Sequence, residues 1–545
     1  MSDSSKKQTF LHGAALLAMA TAVVKIIGFF YKIPLSAAIG NAGYGYFTTA
    51  YNIYSVLLMI STAGLPVAMS RMISEASSLG NYAQVRKIYR VSRNIFLILG
   101  AISTAVMMAL CRSLAVWLNQ PDAWAAILCL GPCAFLMGII STYRGFFQGQ
   151  GNMRPTSNSQ MLEAAFKLAV GLGGAFLVIK LTNNVGLAAG GAILGVTFSC
   201  LISAIYLRSV LKPAFRELPE GVGEEKSAGR TMRELLGIAI PITVGAAGLQ
   251  LLTVAESGLY MNRLVSLISE NRYMGHLVTE KLTAQDVADN VKGIFDQANT
   301  IFNMPCAFII PITVSVIPAI TSNLTLKNDD AVRETEESAA RITGLLALPC
   351  SAGLMLLGRP VMGLLWGHTG EDLVLGGWLM SILGVSVFLY GIIQYTNALL
   401  QAHGYAHLPV INMLTAGAAR LAVVYVLAGN PNVGILGVPI GICLCYLAIA
   451  VMNLISIARV VPQKPRLLRN LLRPLLPTVL MSVMVYGCSF GLKWLGVTSN
   501  VIGCGLPIVC GGMVYLACAV VFKSFTAEDC KLLPKGDKLA KLLHL

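Results

Sequence analysis

Charged side chains are scarce in this chain. Asp, Glu, Lys and Arg make up 12% of its 545 residues, where a soluble domain carries roughly 25%. Acids are the scarcest, 25 against 40 Lys and Arg. So thin a polar complement excludes a soluble globular protein of this size. A Gly-x-x-x-x-Gly-Lys-Ser/Thr loop is missing, so the chain does not cradle a nucleotide for hydrolysis. No Ser/His/Asp constellation, paired carboxylates or sizeable extramembrane domain stands out, which predicts a protein that is not an enzyme.

Metal-ligand spacing is also lacking. The 13 cysteines are scattered, and Cys129, Cys133, Cys200, Cys443 and Cys445 lie inside apolar runs, where a thiol behaves as a small hydrophobe. His403 and His407 are four apart, but Gly404 and Pro409 make their segment a turn, and no third ligand is near. Neither a metal nor a cofactor is expected. The first apolar run follows a polar head with Lys6 and Lys7 and has no small-residue cleavage site, so it reads as a retained first helix.

What the chain has in quantity is apolar length. It is 56% hydrophobic with mean hydropathy +0.71, and apolar runs of about 20 residues, enough to cross the hydrocarbon, recur from end to end. In lipid every backbone amide must be satisfied within its own segment. The runs are too long and uniform for barrel strands, so the fold class is all-α integral membrane, with about fourteen transmembrane helices between residues 10 and 523, the first two over 10–33 and 46–70. An even number of crossings puts both termini on one side. Arg86, Lys87, Arg90, Arg93 and the basic tail from Lys523 to Lys541 make that side cytoplasmic. The net charge of +15 therefore faces anionic lipid headgroups, and without an aromatic-basic stripe it excludes nucleic acid as a partner.

The predicted organisation is an N-terminal six-helix bundle over 1–208 and a cytoplasmic linker over 209–233, carrying Lys212, Arg216, Lys226, Arg230 and Arg233. A second six-helix bundle follows over 234–458, then helices 13 and 14 with the tail over 459–545. An external connection over 259–292 is expected to hold a short surface helix from Ser266 to Val291. The halves resemble one another. QGQGNMRPTSNSQMLEAAFKLAV at 148–170 aligns with QAHGYAHLPVINMLTAGAARLAV at 401–423, pairing Gln148 with Gln401, Gly151 with Gly404 and Lys167 with Arg420. GYFTTAYNIY at 45–54 likewise aligns with GIFDQANTIF at 293–302. Both halves start on the same side, so the repeats are parallel, as in carriers built from two bundles.

A charge inside the hydrocarbon costs at least a few kcal/mol and calls for a use or a partner. Lys25 sits mid-way along the first span, and Lys32 lies seven residues on, on the same helical face. Lys167 and Arg420 occupy matching repeat positions in spans five and eleven. Together these cations suit a phosphate or diphosphate head in a central cavity, Arg as a bidentate fork and Lys as a point charge. The competing reading neutralises each locally, Lys167 by Glu163 one turn earlier. Thr48, Tyr51, Asn52 and Ser55 form a polar face on span two, as do Tyr390, Gln394 and Asn397 on span ten. They fit either sugar hydroxyls or helix–helix hydrogen bonds. Glu163, Glu256 and Asp296 are the acidic candidates for coupling an ion or proton.

Three stretches carry a family resemblance: KIIGFFYKIPLSAAIG at 25–40, GLPVAMSRMISE at 64–75 and YRGFFQGQGNMRPTSNSQMLEAAFK at 143–167. They resemble the stage V sporulation protein B family, the polysaccharide-biosynthesis branch of the multidrug/oligosaccharidyl-lipid/polysaccharide exporter superfamily, which is similar to the lipid II flippases. The resemblance implies two pseudo-twofold bundles working by alternating access. It also implies a cationic cavity for a diphosphate-linked sugar and a groove for the lipid tail at helices 13 and 14. Lys25 matches a basic position of the flippases' first helix, and Lys32 falls one residue beyond the next. The flippases' Asp-Ala-Phe motif and arginine pair in helix 2 are replaced here by Gly45-Tyr46-Phe47 and Leu57-Leu58, which makes the cavity less cationic.

The expected function is thus a flippase for an undecaprenyl-pyrophosphate-linked saccharide, lipid II or a related polysaccharide unit, in sporulation or cell-wall synthesis. Membrane potential or an ion gradient would drive it, as a monomer of the bacterial cytoplasmic membrane among membrane lipids and cell-wall synthesis enzymes. The alternatives are a cation-coupled multidrug exporter on the same fold and a non-transporting scaffold. The buried polar faces, costly to a scaffold, argue against the last. A membrane-impermeant thiol reagent applied from outside is expected to label single cysteines placed in 259–292 and not those in 209–233; the opposite pattern refutes the topology.

Overall fold

Helix is the only regular structure that satisfies a backbone in hydrocarbon without a partner segment, and it is what the apolar runs form. A computed structural model describes residues 3–62, 64–219, 223–270, 283–325, 327–462, 466–496, 499–522 and 524. Its helices are Asp3–Thr62 (α1), Leu65–Ser78 (α2), Tyr82–Ala109 (α3), Cys111–Trp117 (α4), Trp124–Gly149 (α5), Arg154–Thr182 (α6), Val185–Arg216 (α7), Ala228–Ser269 (α8) and Ala284–Thr325 (α9). Asp329–Leu356 (α10), Gly358–Trp366 (α11), Gly370–Ala402 (α12), His407–Ala428 (α13), Gly437–Val460 (α14), Leu467–Leu471 (α15), Leu475–Trp494 (α16) and Asn500–Val521 (α17) complete them.

Eleven stretches of the described residues are long and apolar enough to cross a membrane. One of them, Val23–Met59, contains a break. Gly40 has φ 68° and ψ −179°, a conformation essentially confined to glycine, so α1 is two helices meeting at one residue. The loop expected between the first two spans shrinks to that residue. With α8 and α9, 42 residues each, the chain accommodates the fourteen expected crossings. The second span ends at Thr62, earlier than 46–70. Pro66, which lacks a donor, sits in the first turn of α2, and the Gly64 amide is instead met by Thr243 Oγ1 at 3.2 Å.

The chain divides into two compact units, Met1–Val265 with Lys281–Gly293, and Ser266–Glu280 with Ile294–Leu545. In the first, α7 packs between α5 and α6, α3 lies against α5, and α1 crosses α5, α6 and α7. The α6–α7 crossing is made by glycine. A Cβ on Gly195 would stand 2.2 Å from the Gly171 nitrogen, and one on Gly191 2.7 Å from the Gly174 oxygen. Such close approach supplies the dispersion contact that replaces the hydrophobic effect between helices in lipid.

The charged segment after α7 is held to the α2–α3 turn of the same unit. Asn81, which caps α3 through the Gln84 amide at 2.9 Å, also donates to the Glu224 carbonyl at 2.9 Å. Gln84 accepts from the Lys226 amide at 2.9 Å, and Arg86 reaches the Leu218 carbonyl. The Lys226 ammonium, 2.7 Å from Glu234, holds that carboxyl below the ordinary carboxylate range, against a smaller opposing effect of burial. Of the surface helix expected from Ser266 to Val291, Ser266–Ser269 continues α8 and the residues from Ala284 open α9. Residues 271–282 lie outside the described residues.

In the second unit α12 packs on α10 and α14, α13 on α14, and α16 on α17. The repeat aligned by sequence is present in the backbone. Gly151 and Gly404 both turn the chain with positive φ, 75° and 86°, ahead of α6 and α13. A further match escaped the alignment. Leu110 and Leu357 make the same bend, φ −103° and −100°, joining α3 to α4 and α10 to α11.

Replacing Gly195 by Leu is expected to lower stability by more than about 2 kcal/mol, since the facing atoms are backbone. Gly173→Ala, with open space at that position, should be neutral or stabilising by about 0.5–1 kcal/mol. Thermal unfolding of the purified protein in detergent separates the two.

Candidate functional site

The polar face of α1 beyond Gly40 meets a cation from α6. Lys167 Nζ donates to the Tyr51 hydroxyl at 2.9 Å and lies 4.9 Å from the Tyr51 ring centre and 5.5 Å from that of Tyr31. Tyr31, Phe47, Tyr51 and Tyr54 form a run of touching rings, with centroids 5.2 to 6.2 Å apart. An ammonium over such faces gains about 0.5–2 kcal/mol and keeps its charge. The carboxylate expected to neutralise it is engaged elsewhere. Glu163 Oε2 accepts from Arg144 of α5 at 3.0 Å, and Arg144 is steadied by Ser159 Oγ at 2.9 Å. Among the described residues, then, Lys167 has no ion pair.

Arg420 occupies the corresponding place on α13, at the same distance from the helix start. It lies beside Tyr446 and Cys445 of α14, and the Tyr446 ring packs 5.9 Å from Tyr390 and 6.5 Å from Phe302. Phe302 is the sequence match of Tyr54, so an aromatic group accompanies the cation in each repeat. Gln394 donates to the Tyr390 hydroxyl at 2.6 Å, on the same side of α12. Asn397 is used differently. It accepts from Asn453 at 2.8 Å, and Asn453 accepts from Asn412 at 2.8 Å, a buried ladder that ties α12, α13 and α14 together.

The other candidates are dispersed. Lys25 is exposed, and Lys32 and Asn52 are half-buried. Thr48 Oγ1 donates to its own turn at Gly45 O, 2.9 Å away. Glu256, in the first unit, and Asp296, in the second, are both buried. His403 is bonded to the buried Glu336 at 2.7 Å. Among the described residues no group of His, Cys, Asp and Glu is arranged to hold a metal.

A second polar centre in the first unit was not singled out by sequence. Asp289, at the start of α9 and 1% exposed, accepts from Tyr46 at 2.9 Å, Gln120 at 3.0 Å and Gln285 at 3.1 Å. Gln120 Oε1 accepts in turn from Thr49. Lys292, fully buried, donates to the Gly45 carbonyl at 3.3 Å and to Thr48 Oγ1 at 3.4 Å. The glycines matched between the repeats lie at this crossing. A Cβ on Gly293 would meet the Asn41 carbonyl at 1.9 Å, and one on Gly45 the Asp289 carbonyl at 3.5 Å. The signal available in sequence was an Asp and a Lys three apart, one helical turn, immediately before an apolar run.

Comparison with known proteins gives a consistent picture. A family described as "Polysaccharide biosynthesis protein" matches residues 10–324, and one described as "Lipid II flippase MurJ" matches residues 258–503. The chain is 25% identical to the uncharacterized membrane protein YabM of Bacillus subtilis (strain 168), covering 99% of this chain and 97% of that one. It is 24% identical to stage V sporulation protein B of the same organism, over 84% and 85% of the two chains. It is also 22% identical to that organism's lipid II flippase MurJ, over 75% and 76%. Among solved structures, lipid II flippase MurJ in an inward closed conformation superposes with TM-score 0.66 at 15% identity, covering 93% of this chain and 98% of the other. An inward-facing multidrug resistance MATE transporter gives TM-score 0.60 at 16% identity, over 81% and 99%. At these identities the structures establish a shared fold.

Glu163→Gln is expected to lower stability by about 1–3 kcal/mol, because it leaves a half-buried guanidinium without its counter-ion. A double-mutant cycle with Arg144→Met should show strong coupling, and one with Lys167→Met little. Coupling of Glu163 to Lys167 instead would reinstate the local ion pair along α6.

Proposed function

The chain belongs to the polysaccharide biosynthesis protein family, and from that premise we propose that it is a membrane carrier for an undecaprenyl-diphosphate-linked saccharide, a peptidoglycan precursor or related polysaccharide unit. The observation that carries this reading is Lys167, an ammonium on tyrosine faces whose neighbouring carboxylate is taken by Arg144. Arg420 holds the matching position in the second unit, beside Tyr446 and Cys445. A drug exporter for cations has no use for paired positive charge of this kind, whereas a diphosphate does.

Each group then has a task. Lys25, Lys32 and Lys167 offer point charges to the diphosphate, and Arg420 offers a planar fork. The rings of Tyr31 and Tyr51 with Thr48 and Asn52 of α1, and separately Gln394 of α12, present stacking faces and hydrogen-bonding groups to sugar, while Asn397 holds α12 to α14 through Asn453. The cationic groups draw the anionic head from one side, and its departure on the other follows alternating access of the two repeats. With the cytoplasm negative, outward movement of the head is favoured by about 2.3 kcal/mol per elementary charge per 100 mV, so the membrane potential alone can drive the cycle. Glu163, Glu256 and Asp296 are the groups available for ion or proton coupling.

The protein works in the bacterial cytoplasmic membrane, as a monomer with both termini in the cytoplasm, beside the enzymes of cell-wall synthesis. The likeness to stage V sporulation protein B favours a role in spore envelope formation. A lipid II accessibility assay in cells holding this protein as sole flippase tests the proposal. Wild type should expose lipid II on the outer face. Lys25→Ala and Lys167→Ala should each cut exposure at least about tenfold, the scale of one charge-assisted contact, at unchanged protein level. Full growth of both variants, or ethidium efflux that depends on Glu256, would favour the multidrug exporter.

A further inference from the structure

A cleft of about 290 Å³ opens on the surface of the second unit between α11, α12 and α16. It lies at the C-terminal ends of α10 and α16, on the side opposite the basic loop Arg86–Arg93 by the charge rule. Arg359 and Lys493 are its two charged groups, and no acidic side chain lines it. Neither cation is in an ion pair among the described residues. Trp378, Tyr486 and Phe490 form its walls, and Trp378 and Tyr486 are 54% and 66% exposed. Amphipathic rings at a helix end mark the headgroup level of a bilayer.

The position of Arg359 is built in. Its aliphatic stem runs over Gly377, where a Cβ would stand 2.1 Å from Arg359 Cγ. Its guanidinium carbon lies 5.9 Å from the Trp378 ring centre. On the opposite wall the Ser489 hydroxyl is buried and has no hydrogen-bond partner. An unsatisfied buried hydroxyl beside two unpaired cations gathers three hydrogen-bond donors in one recess. The first repeat contains the same pair, Arg112 stacked 5.3 Å over Trp124, in the short helix after the matching Leu110 bend. Helix α16 lies beyond the repeat, so the second pair alone acquires Ser489 and Lys493 across from it.

We propose that this cleft binds the phosphate headgroup of an anionic phospholipid in the outer leaflet. Two cations without a counter-charge favour a headgroup of net negative charge over a zwitterionic one, whose own cation would be repelled. The guanidinium forks onto the phosphate oxygens, Lys493 supplies a second charge-assisted contact and the Ser489 hydroxyl donates a third. The apolar flank at Leu356 and Val485 carries the first carbons of the acyl chains. None of its lining residues is among those given to the diphosphate or the sugar above.

Native mass spectrometry of the full-length protein in detergent, titrated with phosphatidylglycerol or phosphatidylcholine, tests this. Wild type should retain phosphatidylglycerol with about tenfold preference, and Arg359→Ala combined with Lys493→Ala, which removes both cationic contacts, should weaken that retention by more than about tenfold, the scale of losing a single charge-assisted hydrogen bond. Arg112→Ala should leave it unchanged. Lys493→Gln alone, at an exposed position that cannot unfold the chain, should shift retention in the same direction by less. Equal retention of both lipids by wild type overturns the proposal, as does equal retention of phosphatidylglycerol by wild type and double variant. Displacement of the lipid by equimolar inorganic phosphate would reassign the cleft to a free anion.

Discussion

An ionised group placed among apolar helices must be met by a partner or put to use, and much of this structure is an answer to that constraint. Glu163 is met by Arg144, Asp289 by three side-chain donors and Glu336 by His403. Arg144–Glu163, Tyr46–Asp289 and His403–Glu336 join distant stretches of the chain, so these contacts also fix how the elements pack, whereas Gln285 reaches Asp289 within α9 itself. Lys167 is the exception that the arrangement protects. Its nearest carboxylate along the helix is drawn to another element, and tyrosine rings support the ammonium without cancelling its charge. Its charge is therefore not cancelled by the helix that carries it.

The fold was legible because hydrophobic length is a direct physical requirement of the bilayer. Helix class, the approximate crossings and the sequence repeat all follow from it. What the sequence hid were features set by single residues or by distant partners. Gly40 breaks α1 through its own dihedral angles, where composition suggested a loop of a dozen residues. The choice of Glu163 between Lys167 and Arg144 depends on how α5 approaches α6, and local spacing favoured the wrong partner. Asp289 and Lys292 fell in a segment read as an external connection, because helix α9 runs beyond its apolar stretch. The spacing of Asn397 on α12 could not show that its partners are Asn453 and, through it, Asn412.

The repeat shows how one scaffold takes on two characters. Paired bends at Leu110 and Leu357 and paired turns at Gly151 and Gly404 preserve the backbone plan. Side chains diverge on top of it: lysine against arginine at the two half-buried cations Lys167 and Arg420, tyrosine against phenylalanine in the rings. The added pair α16 and α17 breaks the symmetry further, since α16 packs on α10 and α17 on α11 and neither has a counterpart in the first half.

The first unit is completed late in synthesis. Its polar centre needs Gln285, Asp289 and Lys292, and its α2–α3 turn is bound by backbone groups from Leu218 to Lys226. The ribosome therefore has to pass the opening turns of α9 before Tyr46 and Gln120 find their acceptor. A half-protein cut in the basic segment after the sixth span would be born without it, its buried glutamine and tyrosine unsatisfied. For co-translational insertion as for any split-chain experiment, a break that leaves this polar centre whole lies beyond Gly293.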